Sequence, residues 1–137
     1  MAAILHWLTG LMEPALRLVG RPFPRYALAL ALSGAIFLAS SRSSLPVPIQ
    51  PGMDKVIHLL TYLALGLSYL NVTTSGLRLS TPGRLALAWL AGLAFALSDE
   101  WHQTMVPGRT AEWGDLLADG LGVSLAVGLL GWMKRKL

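Results

Sequence analysis

No cysteine occurs in the chain, so thiol nucleophiles, thiolate zinc sites and disulfide staples are all excluded. Charge is nearly as scarce. Asp, Glu, Lys and Arg make up 13% of the 137 residues, against roughly 25% in a soluble domain. Two long stretches, 85–97 and 120–133, carry no charge at all, which removes the polar stripe that a helix of a soluble bundle needs. What fills the space is apolar: 54% hydrophobic residues and a mean hydropathy of +0.57. A single small integral membrane domain is the class this composition selects. The net charge of +4 and a pI near 10.0 do not indicate nucleic acid, because the basic residues flank apolar runs and no basic face is interleaved with aromatics.

The acids are the scarcest charge, seven in all, and five of them fall between 99 and 119. This polar island between apolar runs is the first place to look for function, since ionisable groups at a bilayer boundary persist only where they pair or work.

Residues 3–19 are interrupted by His6, Glu13, Pro14 and Arg17, with no basic region before them, so they do not read as a secretory leader. The expected structure for 1–24 is an interfacial amphipathic helix with Trp7, Leu8, Leu11 and Met12 toward lipid; a disordered lead-in is the alternative. Residues 25–137 then form the main domain. About 20 residues at 1.5 Å each cross roughly 30 Å of hydrocarbon, and four segments reach that length: 25–45, 54–72, 82–104 and 111–133. The fold class is therefore all-α, an integral membrane four-helix bundle. Pro22 and Pro24 precede the first helix, and Pro46 and Pro48 follow it. Asp54 is expected to cap the second, Thr81 with Pro82 to open the third, and Thr110 to cap the fourth.

With both termini in the cytoplasm, Arg17, Arg21, Arg25, Arg78, Arg84, Lys134, Arg135 and Lys136 lie inside, and only Arg42, Lys55 and Arg109 lie outside. That orientation places the polar island on the extracytoplasmic side, together with the start of the second helix. On the fourth helix Gly120, Ser124 and Gly128 recur every four residues. This ridge is expected to pack within the protomer, with oligomerisation as the second use.

Asp54 and His58 share a helical face, with Tyr62 one turn on; an aspartate one turn from a histidine fixes its tautomer and raises its basicity. The alternative is a cap plus a buried, hydrogen-bonded histidine. Asp99 and Gln103 are four apart and His102 also lies within reach of Asp99. Asp99 and Glu100 point about 100° from each other, so they address different neighbours. Asp115 and Asp119 share a face, Asp119 one turn deeper. Arg109, in the turn between these acids, is suited to bracing Asp99, Glu100 or Asp115 in bidentate fashion, or to holding a phosphate. Trp101 and Trp113 suit an interfacial aromatic belt.

The segments Asp54-Lys55-Val56-Ile57-His58-Leu59-Leu60-Thr61-Tyr62, Asp99-Glu100-Trp101-His102-Gln103 with Pro107-Gly108-Arg109, and Asp115-Leu116-Leu117-Ala118-Asp119-Gly120-Leu121-Gly122 together resemble the VanZ-like family. Its pattern runs DK-x-x-H-x-x-x-Y, then DE-x-x-Q-x-x-x-P-x-R, then D-x-x-x-N-x-x-G. Asp119 departs from it, standing where asparagine is frequent, which favours hydrogen bonding over an obligatory charge there, or a protonated acid. The resemblance implies a polytopic bacterial membrane protein of the cytoplasmic membrane and a link to resistance against teicoplanin-type glycopeptides.

The expected function is binding of, or action on, an envelope lipid or lipid-linked glycan. Asp54, His58, Asp99, Glu100 and Asp115 are the chemical candidates; Lys55, Tyr62, Gln103, Arg109 and Asp119 are the binding candidates. The alternative is a non-enzymatic interaction protein whose polar cluster clamps helices together. A transporter ranks third, because four helices carry few deep polar groups. No cofactor is expected. A divalent metal on His58, His102 and carboxylates is the less favoured variant, because neither H-x-x-x-H nor H-E-x-x-H occurs.

Overall fold

Four helices account for the described residues, which are 22–43, 50 and 52–135 of a computed structural model, and none of these residues is in a strand. They are α1 (Pro22–Ser40), α2 (Met53–Gly76), α3 (Thr81–Gln103) and α4 (Trp113–Arg135). The expected N-terminal interfacial helix, Pro46 and Pro48 lie outside the described residues.

The helix ends differ in informative ways from those expected. Pro22 and Pro24 sit inside the first turn of α1, where a missing N–H breaks no helical bond. α1 ends at Ser40 rather than near Leu45. Asp54 does not cap α2: Gly52 occupies that position at φ 85°, and Asp54 lies within the first turn. Ser80, one residue earlier than expected, caps α3 by accepting from the Gly83 N–H at 3.3 Å. Thr110 lies outside α4, which starts at Trp113, and the first turn closes on the Glu112 carbonyl through the Asp115 N–H at 3.0 Å.

Glycines set how closely the helices pack. A Cβ at Gly122 on α4 would strike the Leu59 carbonyl and lie 2.8 Å from the Leu63 nitrogen on α2, so the two backbones touch directly. One added at Gly66 would lie 2.9 Å from Ala126 Cβ, and one at Gly92 on α3 would lie 2.7 Å from Val123 Cγ1. The ridge expected to do this, Gly120, Ser124 and Gly128, does less. Gly120 faces Leu93, Ser124 accepts from Trp89 Nε1 at 3.0 Å, and Gly128 meets nothing within 4 Å. α2 and α4 are thus the closely fitted pair, with α1 resting chiefly on α2.

Two small apolar clusters form the core, one around Tyr62, Leu65, Ala96 and Val123, the other around Leu70, Ala88 and Ala126. Large apolar side chains are exposed along the helices while several ionisable and polar ones are buried. Leu30, Leu38, Leu97, Leu117 and Leu121 are exposed, while Asp99, Glu100, Gln103 and Asp119 are buried. Two segments, Met53–Ser75 and Trp113–Trp132, each with hydropathy 1.4, are long and apolar enough to cross a membrane; Pro24–Ser40 is apolar but shorter.

The candidate functional site at one end of the bundle

The C-terminal ends of α1 and α3 meet the N-terminal ends of α2 and α4, and every sequence-predicted site residue lies on or near this end. A cavity of about 490 Å³ opens there. Its walls include Ile36, Ala39 and Ser40 of α1, Asp54, His58 and Tyr62 of α2, Asp99 and Gln103 of α3, and Arg109, Thr110, Glu112 and Asp115 beyond. Glu100, Asp119 and Lys55 do not line it.

Three groupings make up the site. In the first, Asp99 is 3% exposed and collects neutral donors: Ser40 Oγ at 2.5 Å, then Tyr62 OH and Gln103 Nε2 at 3.4 Å each. The i, i+4 spacing of Asp99 and Gln103 predicts the last contact; His102 turns elsewhere, stacking on Phe37 and meeting Ser41 Oγ at 2.9 Å.

The second is centred on Lys55. Its ammonium donates to Glu112 Oε2 and Asp115 Oδ1 at 2.6 Å each and lies 3.0 Å from Asp54 Oδ2. Asp54 is therefore committed to Lys55, and the expected Asp54–His58 pair does not form.

His58 is oriented by α4 instead, in the third grouping. Its Nδ1 lies 2.9 Å from Asp119 Oδ1, and its Nε2 lies 3.9 Å from Asp115 Oδ2. With Asp119 ionised, the Nδ1–H donates to it and Nε2 is left as the accepting nitrogen, an arrangement able to take a proton from a bound hydroxyl. Glu100 faces this group and not Asp99's, as the angle between neighbouring helix positions requires. Glu100 Oε2 accepts from the Glu112 N–H at 3.1 Å, fixing the start of α4. Its Oε1, and Oδ2 of the fully buried Asp119, have no hydrogen-bond partner among the described residues.

Arg109 does not brace any carboxylate among the described residues. Its Nε donates to the Arg42 carbonyl at 3.0 Å, and the side chain lines the cavity. The turn that carries it depends on Gly108 at φ 81°, a left-handed conformation suited to glycine. Trp101 and Trp113 are 69% and 83% exposed at this same end.

Sequence reasoning passed over Ser40 and Glu112. Ser40 ends a long apolar run, a place where a hydroxyl has reason to be noticed. Glu112 is one of only seven acids, which is the available signal, but its partners come from other helices.

A family model described as VanZ/LLP1 matches residues 11–134, and the chain belongs to that family. No curated protein and no solved structure gives a significant match.

Proposed function

We propose that the chain is a multi-pass protein of the bacterial cytoplasmic membrane whose cavity receives the headgroup of an envelope lipid or lipid-linked glycan. The observation that carries this reading is the cavity itself. Its volume of about 490 Å³ falls in the range of roughly 300–1,000 Å³ usual for small-molecule sites. Arg109 lines it without a carboxylate partner among the described residues, offering a fork to phosphate, and His58 contributes a nitrogen oriented by Asp119.

The membrane setting rests on the apolar exterior, the buried polar groups and the two long apolar helices. All four helices are taken to span, α1 and α3 by virtue of packing against the other two. The excess of basic residues at the opposite end argues for cytoplasmic termini and an extracytoplasmic cavity. Resistance to teicoplanin-type glycopeptides, which the family resemblance implies, would then follow from an altered presentation of envelope glycolipids.

The clamp reading is favoured by one observation: Lys55, beside Asp54 on α2, is also held by Glu112 and Asp115 at the start of α4, so two ion pairs join the helices. Native mass spectrometry of the detergent-purified protein separates the two. Phosphatidylglycerol and a polyprenyl-diphosphate-linked sugar serve as probes, with phosphatidylcholine for comparison. Retention of an anionic probe by wild type, lost in folded Arg109→Ala and His58→Ala variants and kept in Gly128→Ala, is expected. Equal retention in all four proteins would leave the clamp.

A further inference from the structure

The bundle end holds two clusters of possible cation ligands, and they are not equivalent. Asp54, Glu112 and Asp115 form one; His58, Glu100 and Asp119 form the other, with one ligand-type atom from each residue within 4.8 Å of the others. The first cluster already encloses a cation, the Lys55 ammonium, bonded to all three carboxylates at 2.6–3.0 Å. The second has no permanent counter-charge: among the described residues neither Glu100 nor Asp119 is within ion-pair range of a lysine or arginine, and His58, paired with Asp119, supplies one only when protonated.

Burial sharpens the contrast. Asp119 is 0% exposed and Glu100 6%, and each keeps one buried carboxylate oxygen, Asp119 Oδ2 and Glu100 Oε1, without a hydrogen-bond partner among the described residues; in the first cluster Asp54 Oδ1 also lacks one, but its side chain is 40% exposed and already paired with Lys55. Two buried carboxylates with spare lone pairs, and one imidazole between them, are expensive unless something positive completes the group.

We propose that His58, Glu100 and Asp119 bind a divalent transition-metal cation, Zn²⁺ or Mn²⁺. An imidazole nitrogen with two carboxylates suits these ions better than Ca²⁺ or Mg²⁺, which take oxygen donors. The three ligands come from α2, α3 and α4, so no single-helix motif announces them. Nδ1 of His58 and Oδ1 of Asp119 share a hydrogen bond at 2.9 Å without an ion; binding would release that Nδ1 proton to solvent and put the cation in its place, the two atoms already being about as close as adjacent ligands at metal–ligand distances of about 2.0–2.2 Å. His58 lines the cavity, which supplies an entry path and faces any remaining coordination position toward a bound molecule. The ion would hold three helices together and present a Lewis acid to the cavity that His58 and Arg109 both line. This proposal is independent of the lipid reading, because metal binding and lipid retention are measured separately and either can fail alone.

The test is elemental analysis and competitive titration of the detergent-purified full chain after loading with Zn²⁺ or Mn²⁺ and gel filtration. About one equivalent per chain is expected in wild type and in Gly128→Ala. Glu100→Gln and Asp119→Asn, which keep shape and remove ligand charge, are expected to weaken binding by at least about tenfold. Unchanged affinity in both variants overturns the site, as does retention of no metal by wild type. Loss in Asp54→Asn without loss in Asp119→Asn would place the ion in the other cluster and equally overturn it. Should a variant not fold, electron spin echo of wild-type protein loaded with Mn²⁺ decides: nitrogen modulation from one imidazole is expected, and its absence sinks the proposal.

Discussion

Ser40 at the end of α1 donates a 2.5 Å hydrogen bond to Asp99 near the end of α3, the shortest of the three contacts that satisfy this buried acid. Tyr62 and Gln103 stand back at 3.4 Å each, so Asp99 relies chiefly on one hydroxyl from α1. Ser40→Ala removes that donor and leaves a lone pair buried. The expected loss is about 1.5–3 kcal/mol, the range for a hydrogen bond to a charged group, read as a lowered midpoint in reversible denaturation in detergent. A change within error would show that Asp99 is satisfied without α1.

Gly122 and Gly128 lie on the same helix and are expected to respond oppositely to one methyl group. At Gly122 the Cβ meets the backbone of Leu59 and Leu63, which cannot swing aside, so Gly122→Ala should destabilise by about 1–3 kcal/mol or more. Gly128→Ala meets nothing and should be neutral or stabilising by up to about 1 kcal/mol, through helix propensity. Thermal unfolding followed by circular dichroism compares them directly.

Lys55 and Glu112 share an ion pair but not its importance. Lys55→Met leaves Asp54, Glu112 and Asp115 repelling one another, and a clear loss of stability is expected. Glu112→Gln alters a side chain 54% exposed and should change stability by less than about 1 kcal/mol. Raising the salt concentration should narrow the gap between wild type and Lys55→Met by screening the repulsion. A gap insensitive to salt would mean that Lys55 acts by packing alone.

The lack of cysteine makes topology simple to read. Ala111→Cys, exposed at the cavity end, should react with a membrane-impermeant maleimide added to intact spheroplasts. Arg78→Cys, exposed between α2 and α3, should react only after lysis. The reverse pattern would invert the proposed orientation.

How much of this was readable beforehand depends on whether the information lies within one helix or between two. The four apolar segments and the Asp99–Gln103 contact are matters of local spacing, and the sequence displays them. So is the divergence of Asp99 and Glu100. The partner of His58 is different. Spacing proposed Asp54, one turn away, but Asp54 is drawn to Lys55 beside it, and the histidine is met by Asp119 from 61 positions along the chain. The role of Arg109 was equally hidden, since whether a turn residue reaches a carboxylate depends on where the neighbouring helix ends. The α3 cap lies one residue before the expected one because Ser80 and Thr81 are chemically alike, and only the backbone decides between them.

The direct backbone contact between α2 and α4 also bears on how this sequence can drift. A seam made of Gly66, Gly122 and the backbone opposite them admits no gradual adjustment, because the smallest possible replacement already collides. Gly34 and Gly128, with open space around them, are free to change. Descent with modification should therefore leave the inner glycines in place while the outward ones wander, and the divergence among relatives should be written mainly on their outward-facing surfaces.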